Sequence, residues 1–189
     1  MKKILLALSL TFAAMSSQAA LTFVSDGTTI VTNDYNNVTG QGAGAQYSYG
    51  NLFAEAGDVV TFTNLGSFTE SGYTNVFING ESIWSNKAGF GDTYSFVSAG
   101  GKLTFSFVDG NGATFNQGSS SIAVVTGSTY GFTDQFLLLL DDSKANFTDF
   151  DDHAVGVSAV PVPAALPLMA SALGAFGIAR RRSNKAKAV

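Results

Sequence analysis

The chain is predicted to fold as an all-β protein, an antiparallel β-sandwich of jelly-roll type. Three observations predict it. Short runs of alternating apolar and polar residues recur through the middle of the 189-residue sequence. Clusters of Gly, Asn, Asp and Ser separate those runs as turn signals. No apolar spacing of helical period appears between residues 20 and 159. About nine or ten short strands with no fixed repeat suit a sandwich of this kind.

Taken in order, Leu21 to Val24 and Thr28 to Thr32 flank Ser25-Asp26-Gly27 and read as a first hairpin. Residues 33 to 46 are polar and glycine-rich and read as a loop. Tyr47 to Phe53 and Val59 to Asn64 read as strands on either side of Gly57-Asp58, with Val60 and Phe62 facing the core. Tyr73 to Asn79 and Glu81 to Ser85 form a hairpin around Asn79-Gly80, a pair suited to a type I′ turn. Thr93 to Val97 is expected to pair with Lys102 to Val108 across residues 98 to 101. In the second of these Leu103, Phe105 and Phe107 share one face, and Lys102, Thr104 and Ser106 the other. Asp109-Gly110-Asn111-Gly112 is a turn. Ile122 to Thr126, Gln135 to Leu140 and Ala154 to Ser158 complete the set, and the unbroken Leu137 to Leu140 suits a central strand buried on both faces.

Both ends differ from this middle. Lys2 and Lys3 precede an apolar stretch from Ile4 to Ala14, and Ser17-Gln18-Ala19 places small residues where a signal peptidase reads. Residues 1 to 19 are therefore read as a cleavable signal helix, cut after Ala19. All three prolines of the chain, Pro161, Pro163 and Pro167, lie at the start of the other end. No charge falls between Ala154 and Ala179; Arg180, Arg181 and Arg182 follow, then Lys185 and Lys187. Proline keeps the start of this segment extended. A helix from Pro163 to Ala179 would rise about 25 Å, enough for a thin bilayer. The arginines belong on the cytoplasmic side, which puts the β domain outside. A plain single-pass anchor has the same topology.

The segment Val160-Pro161-Val162-Pro163-Ala164-Ala165-Leu166-Pro167-Leu168, with its apolar stretch and Arg180 to Arg182, resembles a PEP-CTERM sorting tail of bacterial surface proteins. Val162 stands where the namesake Pro-Glu-Pro motif has glutamate. The resemblance covers about thirty residues, 160 to 189, and leaves 20 to 159 as the ectodomain. It implies processing by an exosortase-type membrane enzyme and passage through the inner membrane. It further implies a place at the surface or in the exopolysaccharide-rich biofilm matrix of a Gram-negative bacterium.

Between the two ends, fourteen carboxylates face only Lys87, Lys102 and Lys144, a net charge of −11. Such a domain repels nucleic acid and anionic membrane surfaces and suits cations or simple solubility. The chain has no cysteine, so burial alone must hold it together. The densest acidic cluster is Asp141 and Asp142 followed by Asp149, Asp151 and Asp152. Residues 149 to 155 also resemble an aspartate-rich closing motif of PEP-CTERM ectodomains. In an extended segment Asp149 and Asp151 would share one side and Asp152 the other. Crowded carboxylates repel one another, and Ca²⁺ relieves this through oxygen ligands at ~2.4 Å, so the five are candidate calcium ligands. A solvated acidic loop with Asx turns is the other reading.

Catalytic chemistry finds little footing. His153 is the sole histidine, and it is expected in a loop; there is no Gly-x-Ser-x-Gly nucleophile motif and no zinc ligand set. Glu55, Glu70 and Glu81 could serve a glycoside hydrolase only as a close pair. Trp84, Tyr73 and Tyr94, with Tyr130, either pack the core alongside sixteen phenylalanines or form a sugar-stacking platform. The sequence thus points to a non-enzymatic surface or matrix protein, with a carbohydrate-binding module and then a glycan-active hydrolase as the alternatives.

Overall fold

The computed structural model describes residues 21–31, 46–67, 73–142 and 149–161. All of them belong to one compact unit, Ala19–Pro161. Its strands are β1 (Thr22–Val31), β2 (Gln46–Gly66), β3 (Val76–Asn79), β4 (Glu81–Ser85), β5 (Thr93–Lys102), β6 (Ser106–Val108), β7 (Thr114–Asn116), β8 (Ile122–Thr126), β9 (Phe136–Leu140) and β10 (His153–Val160). Every pairing among them is antiparallel. The larger sheet runs β1-β2-β10-β9-β8, with β5 also on β2. A bridge at Ser48 and Val124 returns β8 to β2, so this sheet curls back on itself. The smaller sheet runs β4-β3-β6-β7.

The all-β class stands, and several local readings do not. The residues taken for a first hairpin form the single strand β1, which pairs along β2 with a register shift between Ser25 and Thr29. Ser25 Oγ and Asp26 Oδ1 accept the N–H groups of Gly27 and Thr28, so these turn residues make a bulge rather than a reversal. Likewise Gly57-Asp58 interrupts the register of β2 without ending it. β5 continues to Lys102 and pairs with β2, while Ser106 to Val108 joins the other sheet. The burial alternation survives this change of partner: Leu103, Phe105 and Phe107 are buried, and Lys102 and Thr104 are exposed. The β3–β4 turn is not type I′. Gly80 alone takes a positive φ of 77°, and Asn79 keeps a negative one. β10 runs on to Val160, which pairs with Val59, so the first residue of the proline segment belongs to the sheet. The signal segment and residues 162 to 189 lie outside the described residues, as does most of the 33 to 46 loop.

The two sheets enclose an aromatic-rich core. Phe62 meets Phe77 at 4.9 Å and Phe105 at 5.9 Å between ring centroids, and Phe77 meets Phe107 at 5.3 Å. Edge-to-face pairs of this kind add about 0.5–1.5 kcal/mol each beyond the area they bury. Leu138 and Leu140 of β9 belong to this core. Leu137 and Leu139 point the other way, into a second cluster with Tyr47, Leu65, Val125 and Phe150. The two-faced burial expected of this leucine run is therefore present. Gly156, opposite Leu137, allows a close approach beside it. A Cβ there would sit 2.4 Å from the Asp134 carboxyl carbon, and the missing side chain lets that carboxylate accept from Thr63 and Ser158 across β2 and β10.

Apolar contact does not fix how the sheets meet at one end; a buried asparagine does. Asn64, fully buried at the end of β2, donates through Nδ2 to the carbonyls of Ser85 (3.1 Å) and Ala88 (2.7 Å). Its Oδ1 accepts from Gly66 N–H (3.1 Å) and lies 3.0 Å from His153 Nε2. Its backbone N–H and carbonyl bond to Asp92 and Gly91. One side chain thus ties β2, β10 and the 85–92 turn together. Asn64→Ala is expected to cost about 3–5 kcal/mol, because it leaves several buried groups unpaired. Urea denaturation measures this directly, and a loss below about 1 kcal/mol would contradict the assignment.

Candidate functional site

Two constellations hang on this end of the fold. The first is acidic. β9 and β10 pair with Leu140 opposite His153, so the ladder direction brings Asp141 towards Asp152. Oxygens of Asp141, Asp149 and Asp152 lie within 4.8 Å of one another. Asp142 faces elsewhere: its Oδ2 accepts from Asn75 Nδ2 at 2.7 Å, and its N–H donates to Asp152 Oδ2 at 2.8 Å. Asp151 is buried and stands outside the triad. The structure therefore brings together three of the five acidic residues singled out in the sequence.

Phe150 explains the grouping. The segment is not extended there: Phe150 has φ of 51°, the sole positive value among the described non-glycine residues. That conformation costs on the order of 1 kcal/mol. The ring is fully buried and meets Tyr47 edge-on at 5.8 Å and Tyr49 at 6.1 Å, which holds it in place. The kink replaces the alternation expected of a strand and sets Asp149 beside Asp152.

The triad is electrostatically crowded. Burial, then the charges of Asp141 and Asp151, push the Asp149 carboxyl up to about 6. Burial pushes Asp152 up to about 7, against the opposing Asp142 N–H and with help from its acidic neighbours. Burial and the nearby Asp141 and Asp26 charges also raise the Tyr49 hydroxyl above its usual value.

His153 is not a loop residue. It opens β10, is fully buried, and meets Phe107 edge-on at 5.2 Å. Burial lowers its pKa to about 3. Two carbonyls fix the Asn64 Nδ2 side and an N–H fixes the Oδ1 side, so His153 must carry its proton on Nε2. Its Nδ1 is a buried acceptor with no hydrogen-bond partner. A neutral, enclosed imidazole beside an amide has a structural role. Asn86 completes the network. Its Nδ2 donates to Asp152 O (2.9 Å) and Tyr73 O (3.3 Å), and its Oδ1 accepts from Asn75 N–H (3.0 Å). The asparagines were not singled out in the sequence, since nothing distinguishes a buried Asn from a turn Asn there.

The second constellation is aromatic. Trp84, Tyr73, Tyr94 and Tyr130 do not form one platform. Tyr130 packs on the second cluster, Tyr94 lies near Phe96 on β5, and Tyr73 is exposed beside Gly110. Trp84 stacks on Phe77 at 5.6 Å with an interplanar angle of 18°. It also lines an open groove of about 350 Å³ along β4 with Ser82, Ile83, Gly89 and Asp92. Glu55 and Glu81 are exposed on different sheets, and Glu70 lies outside the described residues.

Among the described residues no helix is long and apolar enough to cross a membrane. Comparison with family models, curated proteins and solved structures returns no match for this chain.

The raised carboxyls give a pH test. Their folded values exceed the ordinary 3.8, so they favour the fold when protonated. That stability is complete below about pH 4 and is lost as pH rises through 6 and 7. His153 runs the other way, losing stability as pH falls from 6.5 towards 3. In calcium-free buffer D152N is expected to melt above the parent at pH 8 and to lose that advantage by about pH 5. Equal melting at pH 8 would contradict the raised carboxyl of Asp152.

Proposed function

We propose that this chain is an exported, non-enzymatic surface or matrix protein, sorted through its C-terminal segment by an exosortase-type system and associated with exopolysaccharide. The observation that carries the reading is where the sheet ends. β10 holds Val160 in register with Val59, and Pro161 follows at once. The last residue of the sheet, Val160, is thus also the first residue of the sequence that resembles a sorting tail. A jelly-roll arrangement is the finer form of the two-sheet fold in this reading. Signal peptidase, the sorting enzyme and, transiently, the inner membrane are its processing partners.

Calcium belongs to the same proposal. Asp141, Asp149 and Asp152 offer hard oxygens no more than 4.8 Å apart, the span that one ion with ~2.4 Å bonds can bridge. Burial first, and then neighbouring carboxylates, hold Asp149 and Asp152 partly protonated near neutrality, and a dication would favour their ionised forms. A carbohydrate-binding module is the second reading, and the Trp84 groove favours it.

Sorting is tested by intact mass in the native host, envelope and released fractions apart. A released form ending near residues 160 to 165 is expected. A sole membrane-bound form retaining residues 166 to 189 would overturn sorting in favour of a plain anchor. For calcium, a few millimolar Ca²⁺ is expected to raise stability by about 1 kcal/mol over chelator at pH 8, with a smaller effect at pH 5 and none in D149N. Equal melting temperatures with Ca²⁺ and chelator at pH 8 would remove the site.

A further inference from the structure

We propose that the Trp84 groove binds an uncharged pyranose unit of a polysaccharide and rejects acidic ones. The proposal rests on the carbohydrate-binding reading and names the site and the ligand class. The sequence offered a platform of Trp84 with Tyr73 and Tyr94; the structure gives a groove that holds Trp84 without them.

Phe77 stacks on the indole and holds the ring against the core, so the ring is fixed before any ligand arrives. The C–H face of a pyranose fits the negative face of an aromatic ring, and a ring already immobilised loses little entropy on binding. The polar groups stand beside it. Asp92 supplies a carboxylate able to accept from two neighbouring hydroxyls, and Ser82 and Ser85 supply hydroxyls. Gly89 keeps the space open. With φ of +76° it bears no Cβ, and one placed there would lie 2.7 Å from an Asp92 carboxylate oxygen and 3.4 Å from the indole Cδ1. Carboxylate and indole therefore share one concave surface.

Charge selects the ligand. The residues that line the groove include one carboxylate, Asp92, and no Lys, Arg or His. A uronic acid would place its own carboxylate near Asp92 with no cationic residue in the lining to offset it, in a domain of net charge −11. A neutral hexose meets no such penalty. The Asn64 clamp on the 85–92 turn fixes the same loop that carries Gly89 and Asp92.

Trp84 is the only tryptophan in the chain, so fluorescence excited at the red edge, where the six tyrosines do not absorb, reports on this groove. The full-length chain, held in sugar-free detergent with chelator present, is titrated with neutral hexasaccharides of glucose, mannose and galactose, and with oligogalacturonate. A saturable emission change with at least one neutral oligosaccharide and none with oligogalacturonate is expected. Calorimetry is expected to show binding weakened at least tenfold in W84F, which keeps a ring on Phe77, and in D92N, which keeps the shape. No response to any neutral oligosaccharide, or equal response to oligogalacturonate, would overturn the proposal. So would unchanged affinity in both variants once circular dichroism shows them folded. The result is independent of sorting: binding by a chain whose tail is never processed upholds the groove and removes only the matrix location.

Discussion

The fold at its site end depends on a buried hydrogen-bond network centred on Asn64 and His153. Apolar packing brings the two sheets together but is non-directional, so it sets distance more than position. Buried polar groups behave differently, since each must find a partner at one place or cost about 1–3 kcal/mol. Asn64 binds the 85–92 turn to β2 and β10, and Asn86 carries the network on to Asn75, the Asp152 carbonyl and the Tyr73 carbonyl. Through Asn75 it reaches Asp142, whose N–H holds Asp152. The smaller sheet is thereby locked to the larger at the end where both candidate sites lie.

The two sites draw on that rigidity in different ways. The acidic triad needs three carboxylates held close against their repulsion, and packing of the buried Phe150 ring on Tyr47 and Tyr49 holds the left-handed kink that sets Asp149 there. The groove needs an immobile indole and an open Gly89, and it obtains both from Phe77 and the clamped turn. Each is a small set of polar atoms supported by a much larger buried scaffold, the arrangement that keeps binding groups in place before a ligand arrives.

Much of the architecture was legible because it follows from side-chain period. The two-faced leucine run of β9 and the alternation through Leu103, Phe105 and Phe107 were plain in the sequence. Pairing was less so. Ser25-Asp26-Gly27 and Gly57-Asp58 carry turn chemistry, yet bonds such as Asp26 Oδ1 to Thr28 N–H satisfy a bulge as well as a reversal. Local chemistry cannot choose between them without the long-range partner, here β2. The acidic cluster was visible as a local density of aspartates. The choice of Asp149 and Asp152 over Asp151 depended on the left-handed Phe150, a conformation that no Phe in a sequence announces. The buried asparagines and the enclosed His153 were invisible for the same reason: their role lies in partners far along the chain, with Asn64 and His153 separated by 89 positions.

The most direct measurement of the network is the ¹⁵N spectrum of the His153 ring in the labelled full-length protein, unambiguous because the chain has one histidine. A neutral ring with its proton on Nε2, unchanged from about pH 8 to about pH 4.5, is the predicted result, since the buried ring resists protonation until about 3. A ring that titrates near its ordinary value of about 6.5, or carries its proton on Nδ1, would mean that His153 does not donate to Asn64. The sheets would then be joined in some other way.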